Sequence, residues 1–220
     1  MIEIINKMYI SLMIPFIIST ITQPLLGAVD VSVIGRVGNE NSIAGIAIGS
    51  LIFNTLYWIF SFLRVSVTGY SAQLAYKSTE ESSLTFLRPV FVAILISIIF
   101  ILFQKLLFST SMIFINPISE VREVTSIYYK ILIYGAPFVL FNYVILGWLM
   151  GQGNIKGSLT MQISGNVLNI ILDILFVLIL KYEVKSVVIV TLISQILSTI
   201  IGLYFIIPYG YFKYFDLKKL

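Results

Sequence analysis

Leu159-Thr-Met-Gln-Ile-Ser-Gly-Asn-Val-Leu-Asn-Ile-Ile-Leu-Asp-Ile-Leu-Phe-Val-Leu-Ile-Leu180 is an apolar run interrupted by polar residues at regular intervals. At 1.5 Å per residue a helix of this length crosses the ~30 Å hydrocarbon core of a bilayer. Gln162, Asn166, Asn169 and Asp173 recur at i, i+4, i+7 and i+11, which places them in one stripe on one helical face. The other faces carry Leu, Ile, Val and Phe. A carboxylate inside the membrane is costly unless it is protonated, paired or hydrated, so Asp173 reads first as functional. A structural hydrogen bond between helices is the alternative. The stretch therefore predicts a membrane helix with one wet face, and a wet face needs neighbouring helices to enclose it.

Working outward, the rest of the chain supplies them. Of the 220 residues 59% are hydrophobic and 11% are charged, against about 25% charged in a typical soluble domain. Mean hydropathy is +1.02. Lipid suits such a surface, and in lipid only helices or closed barrels satisfy the backbone. Long apolar runs predict an all-α membrane protein with six transmembrane helices, at about 10–34, 43–75, 84–107, 124–150, 159–180 and 184–207. Turn and charge clusters separate them, including Arg36-Val-Gly-Asn-Glu-Asn41, Lys77-Ser-Thr-Glu-Glu-Ser-Ser83 and Gly151-Gln-Gly-Asn-Ile-Lys-Gly157. The break at Asn116-Pro-Ile-Ser-Glu-Val-Arg-Glu123 is expected to follow a short interfacial helix. Residues 1–207 then form one six-helix unit, and residues 208–220 begin a cytoplasmic linker.

The first apolar run follows Met1–Lys7 without a small-residue cleavage site, so it reads as a retained signal-anchor. With the N-terminus placed inside, Lys7, Lys77, Arg88, Lys156, Lys213, Lys218 and Lys219 modestly outnumber the outer set of Arg36, Arg122, Lys181 and Lys185 with Lys105 and Lys130 near the outer helix ends. That bias and the even helix count predict a multi-pass protein of the cell (inner) membrane with both termini cytoplasmic. The net charge of +4 reads as loop lysines facing anionic lipid, and no nucleic-acid partner is expected.

Cysteine and histidine are absent, which leaves carboxylates, Tyr and Lys for proton chemistry. Eight of the ten acids fall in loops or termini; the exceptions are Asp173 and Asp30, the latter in Gly27-Ala-Val-Asp30 of the first span. Thr20, Gln23, Gly27 and Asp30 share a face, as do Thr191, Ser194, Gln195, Ser198 and Gly202 of the sixth span. Three polar stripes point to a shared wet interior. Asp, Asn and Thr are hard oxygen donors suited to Na⁺ or to a proton on a carboxylate. Two buried carboxylates held close together do not both stay charged without a cation between them. Pro15 and Pro24 offer places to bend the first helix, or static kinks. Arg64 is expected to snorkel to the interface.

Four motifs carry a resemblance. Pro24-Leu-Leu-Gly-Ala-Val-Asp-Val-Ser-Val-Ile-Gly35 resembles the first helix of multidrug and toxic compound extrusion (MATE) transporters. Phe62-Leu-Arg-Val-Ser-Val-Thr-Gly-Tyr-Ser-Ala-Gln73 is similar to the second helix of their DNA-damage-inducible branch. Gly147-Trp-Leu-Met-Gly-Gln-Gly-Asn154 and Gly165-Asn-Val-Leu-Asn-Ile-Ile-Leu-Asp173 resemble the fourth-to-fifth helix region of that branch. The resemblance implies twelve helices in two six-helix lobes, of which this chain is the amino-terminal one. It implies a non-enzymatic antiporter that exports small organic, cationic compounds as H⁺ or Na⁺ enters, with no cofactor beyond the coupling ion. By resemblance the cation site falls on Asp30, Asn169, Asp173 and Thr191, substrate contacts on Gln23, Gln162 and Asn166, and the hinge on Pro15. The expected partners are the bilayer and a second six-helix lobe, from the same gene or another chain. Alternating access rocks one lobe against another, so a half-length chain alone is expected to be inactive.

Two rivals are weaker. A lipid-linked precursor flippase of the same superfamily more often places basic residues in its cavity. An intramembrane aspartyl protease needs a Gly-x-Gly-Asp motif, which neither Asp30 nor Asp173 has.

Overall fold

A computed structural model describes residues 13, 17, 28, 29, 31–33, 35, 36, 39–74, 79–179 and 184–210, and all regular structure among them is helical. Of the first expected span, Met13, Ile17, Ala28, Val29 and residues 31–33 are described, and they are helical. Pro15, Gln23 and Asp30 lie outside the described residues.

The second span is a pair, α1 (Glu40–Ile59) and α2 (Phe62–Leu74), joined through a turn at Phe60 and Ser61. Asn39 caps α1 by accepting a 2.8 Å hydrogen bond from the Ser42 N–H, and Glu40 in the first turn complements the helix dipole. The third span, expected at 84–107, is α3 (Thr79–Leu102), broken at Phe103, then α4 (Gln104–Ile115). α4 is the short helix expected ahead of Asn116, which ends it in the left-handed region at φ 46 just before Pro117.

The fourth span is α5 (Ser119–Leu132), a 3-10 turn (Ile133–Gly135) and α6 (Ala136–Gly151), where one helix over 124–150 was expected. Pro137 explains the interruption. It has no N–H to return to the Ile133 carbonyl, and it is well placed in the first turn of a new helix. α7 (Ile155–Asp173) starts at Asn154, whose side chain accepts from the Gly157 N–H at 3.0 Å, and continues into a π-helical turn, Ile174–Ile179. α8 (Val184–Ile206) ends in a 3-10 turn and Gly210 at φ 69. Five helical segments among the described residues are long and apolar enough to cross a membrane.

α6 is the axis of the bundle. The apolar stretch of Ser119–Gly151 is 72% buried, against 28–39% for the other four spans; the outer face of α3, for example, exposes Ile94, Leu95, Ile98, Ile99 and Leu102. Val139, Leu140, Val144, Ile145, Trp148 and Leu149 form the centre of the core. α2 and α3 pack on one side of α6 and α8 on the other; α7 pairs with α8, and α1 with α5.

Two glycine pairs set the closest approaches. A Cβ at Gly147 would lie 2.5 Å from the Arg64 carbonyl oxygen, and one at Gly151 would lie 2.6 Å from that of Thr68. Gly147-Trp-Leu-Met-Gly151 thus lets α6 lie directly on the backbone of α2. Ser71 then donates to the Trp148 carbonyl at 3.1 Å, and Gln152 Nε2 donates to the Ser71 carbonyl at 3.2 Å and to Ser71 Oγ at 3.0 Å. Gly45-Ile-Ala-Ile-Gly49 does the same for α1 against Val124 and Tyr128 of α5.

Candidate functional site

The polar stripe of α7 does not face lipid. It meets the stripe of α8 across a cavity of about 70 Å³ that α2 and α6 complete. Gly165 permits the pairing: a Cβ there would approach Ser198 to 3.0 Å, and Ser198 Oγ donates to the Met161 carbonyl at 3.3 Å. From α7 come Gln162, Asn166 and Asn169; from α8 Thr191, Ser194, Gln195 and Ser198; from α6 Asn142 and Tyr143; from α2 Arg64. The space holds a few water molecules or one small ion with its shell.

One wall is fixed by a polar network. Thr199 Oγ1 donates to Asn142 Oδ1 at 2.8 Å and to the Gln195 carbonyl at 2.9 Å. Asn142 Nδ2 in turn lies 3.3 Å from both the backbone oxygen and Oε1 of Gln195. The network ties α6 to α8 and orients Gln195.

Other polar groups around the cavity are less satisfied. Asn169 is 2% exposed, and neither its amide nitrogen nor its oxygen has a hydrogen-bond partner among the described residues. Ser194 Oγ is in the same position. A buried polar group left unpaired costs about 1–3 kcal/mol, so these three atoms mark the part of the site that calls for a further partner. Thr191 Oγ1 donates to the Val187 carbonyl at 2.9 Å. Among the described residues no three His, Cys, Asp or Glu gather as a conventional metal cluster. The available donors are amide and hydroxyl oxygens, which suit a hard monovalent cation better than zinc.

Asp173 sits one turn beyond Asn169 on the same face and is fully buried. It is the last α-helical residue before the π-helical turn at Ile174–Ile179. A π turn widens the ladder and shifts the faces that follow it, and such turns concentrate at functional positions.

The structure thus gathers Gln162, Asn166, Asn169 and Thr191 around one cavity, with Asp173 next along α7. The resemblance assigns the first two to substrate and the others to the cation, and all four share the space. Gln23 and Asp30 lie outside the described residues. Arg64, expected to snorkel to the interface, is among the residues that line the cavity, and its backbone carbonyl lies against Gly147 of α6. Asn142 was not singled out from sequence, although an amide in the apolar run Phe138–Trp148 is the same kind of signal as Asn169.

Comparison with known proteins agrees over most of the chain. The MatE family model matches residues 15–175, a stretch that contains Asn169 and Asp173 and stops before Thr191. DNA damage-inducible protein F of Escherichia coli (strain K12) is 32% identical over 194 residues, which is 87% of this chain and 42% of that protein. A crystal structure of MATE in the bent conformation superposes with a TM-score of 0.81 at 21% identity, covering 89% of this chain and 44% of that one. An outward-facing multidrug resistance MATE family transporter of the MOP superfamily gives 0.74 at 20% identity, covering 90% and 44%. The chain spans less than half the length of these relatives.

Proposed function

Since the chain belongs to the MatE family, we propose that it forms the amino-terminal lobe of a cation-coupled exporter of small organic compounds. The observation that carries this reading is the cavity whose wall holds the Asn169 amide, without a hydrogen-bond partner among the described residues, one turn from the buried Asp173. In this reading Asn169, Asp173 and Thr191, with Asp30 of the first helix, take up H⁺ or Na⁺ from outside. Gln162 and Asn166, with Gln23, contact cargo. Cation entry removes the cost of holding two carboxylates together in low dielectric, and the first helix then moves, bending near Pro15.

The complete path includes a second six-helix lobe, and export follows from rocking the two against each other in the inner membrane. In this reading the chain has six membrane helices, the first at about 10–34, and both termini are cytoplasmic. Lipid-linked precursor flipping differs in needing no ion gradient, so coupling separates the two readings.

The test joins this chain to the second lobe of a relative, in proteoliposomes. A panel of cationic and anionic dyes is followed under imposed proton and Na⁺ gradients. Export of at least one dye should follow a gradient and fall more than tenfold with Asp173→Asn, while the variant stays inserted and monodisperse. Gradient-driven export that survives in Asp173→Asn, or dye movement that ignores both gradients, sinks the reading.

A further inference from the structure

Ser194 stands outside the four residues to which the resemblance gives the cation, and the transport reading leaves it without a task. It lines the cavity and is 5% exposed, and its hydroxyl has no hydrogen-bond partner among the described residues. Serine and threonine hydroxyls inside helices usually bond to the carbonyl one turn back. Ser97, Thr191 and Thr199 do so here. Ser194 does not take even that bond, although the Val190 carbonyl lies one turn back in the same helix. Alanine at this position would carry no unpaired group, so the hydroxyl costs stability unless something else meets it. We propose that Ser194 Oγ is an oxygen ligand for Na⁺ as the coupling ion of this lobe, joining Asn169 Oδ1 and Thr191 Oγ1.

The register of the two helices brings these atoms to one level. Ser198 Oγ meets the Met161 carbonyl at 3.3 Å, and a Cβ at Gly165 would lie 3.0 Å from Ser198 Cβ and 3.8 Å from the Ser194 carbonyl oxygen. α7 and α8 therefore run antiparallel, with Met161 beside Ser198 and Gly165 beside Ser194. One turn further along α7 is Asn169, and the matching step back along α8 reaches residues 190–194. Thr191 and Ser194 are three residues apart and share a face. Asn169 is 2% exposed, and its amide is unpaired among the described residues in the same way as the Ser194 hydroxyl. The kind of ion follows from the donors. A proton is held by a single carboxylate, and neutral oxygens gathered from two helices add little to it. A hard cation takes its ligands from such oxygens. The Asn169 amide nitrogen, a donor, is then met by water in the shell of the ion.

The inference rests on the transport reading for the word coupling, but its test uses no gradient. The full 220-residue chain in detergent is unfolded thermally at mildly alkaline pH, in NaCl, KCl or choline chloride at constant ionic strength. The midpoint should rise saturably with Na⁺, at a half-saturating concentration at least tenfold below that of K⁺. Ser194→Ala should match or exceed the unaltered midpoint in choline, because it removes an unpaired group. Its half-saturating Na⁺ concentration should rise at least tenfold. Ser194→Thr keeps the hydroxyl and should keep most of the Na⁺ response. Any stabilisation by acid in choline should be the same in Ser194→Ala as in the unaltered chain, since a proton needs no hydroxyl ligand. Absence of a Na⁺ response in the unaltered chain, an equal response to K⁺, or an undiminished Na⁺ response in Ser194→Ala overturns the proposal. A lower midpoint of Ser194→Ala in choline also overturns it, since the hydroxyl would then be holding the fold. Should Ser194→Ala not stay monodisperse, Ser194→Cys decides: it keeps the shape and replaces a hard oxygen by a soft sulfur, so its Na⁺ response should fall in the same way. Failure here leaves proton-driven export intact, and failure of export leaves this Na⁺ binding intact.

Discussion

Asn169 has both a donor and an acceptor buried without a hydrogen-bond partner among the described residues. That predicts an unusual separation of stability from ligand response. Replacing a buried polar group by an apolar one of similar volume is nearly neutral when the group had no protein partner. Asn169→Leu should therefore change thermal stability by less than about 1 kcal/mol in salt-free buffer. The unaltered chain should be stabilised by Na⁺ over choline, or by acid over neutral pH, by about 2.7 kcal/mol once the ligand reaches a hundred times its dissociation constant. That increment should vanish in Asn169→Leu, and thermal unfolding in detergent reads both quantities. An undiminished ligand response would remove Asn169 from the coupling site. Asn142 is the opposite case, since Thr199 and Gln195 both bond to it. Asn142→Ala should cost about 1–3 kcal/mol, measured by the same unfolding assay, and an unchanged midpoint would show the network to be idle. The contrast explains what was readable from sequence. Asn169 belongs to a stripe, so periodicity exposes it. Asn142 stands alone in its span and makes no pattern, and its value lies in partners 53 and 57 residues away.

At the scale of elements, backbone contact is what holds α2 to α6. Gly147→Leu or Gly151→Val would drive side-chain carbon into the Arg64 or Thr68 carbonyl, so one helix must move. Overpacking of this kind costs about 1–3 kcal/mol. The expected outcome is a lower unfolding midpoint. Gly69→Ala has open space around the new methyl and should leave the midpoint unchanged. Equal behaviour of the two classes of variant would deny the clasp any role. Helix interruptions were unevenly legible. Gly135-Ala-Pro137 carries its own explanation, a proline without a donor. The break at Phe103 has no such marker, because Ile101-Leu-Phe103 is as apolar as the helix before it. There Gln104 Nε2 donates to the Ile101 carbonyl at 2.9 Å and occupies an acceptor at the end of α3, a bond visible once the chain is folded. The spacing of Gly147 and Gly151 was in plain view, but spacing alone does not name α2 as the partner.

For the whole molecule, the loop charges predict a topology that reporter fusions check. Fusions at Lys77, Lys156 and Lys219 should all read cytoplasmic, and an exterior reading at Lys219 would overturn the even helix count or the orientation. The polypeptide expressed by itself should give no gradient-driven dye export. Robust export from the purified chain would point instead to two copies sharing the work. The bond from Ser71 to Trp148 joins residues 77 apart. At about 5–20 residues per second a ribosome takes roughly 4–15 s to cover that distance. For those seconds the second span waits in the bilayer without the helix it is shaped for, with Arg64 and a strip of bare backbone turned toward lipid. The fit that makes the finished bundle tight therefore makes the nascent one vulnerable. Slowing translation between codons 75 and 147 should raise the fraction of chains degraded before completion.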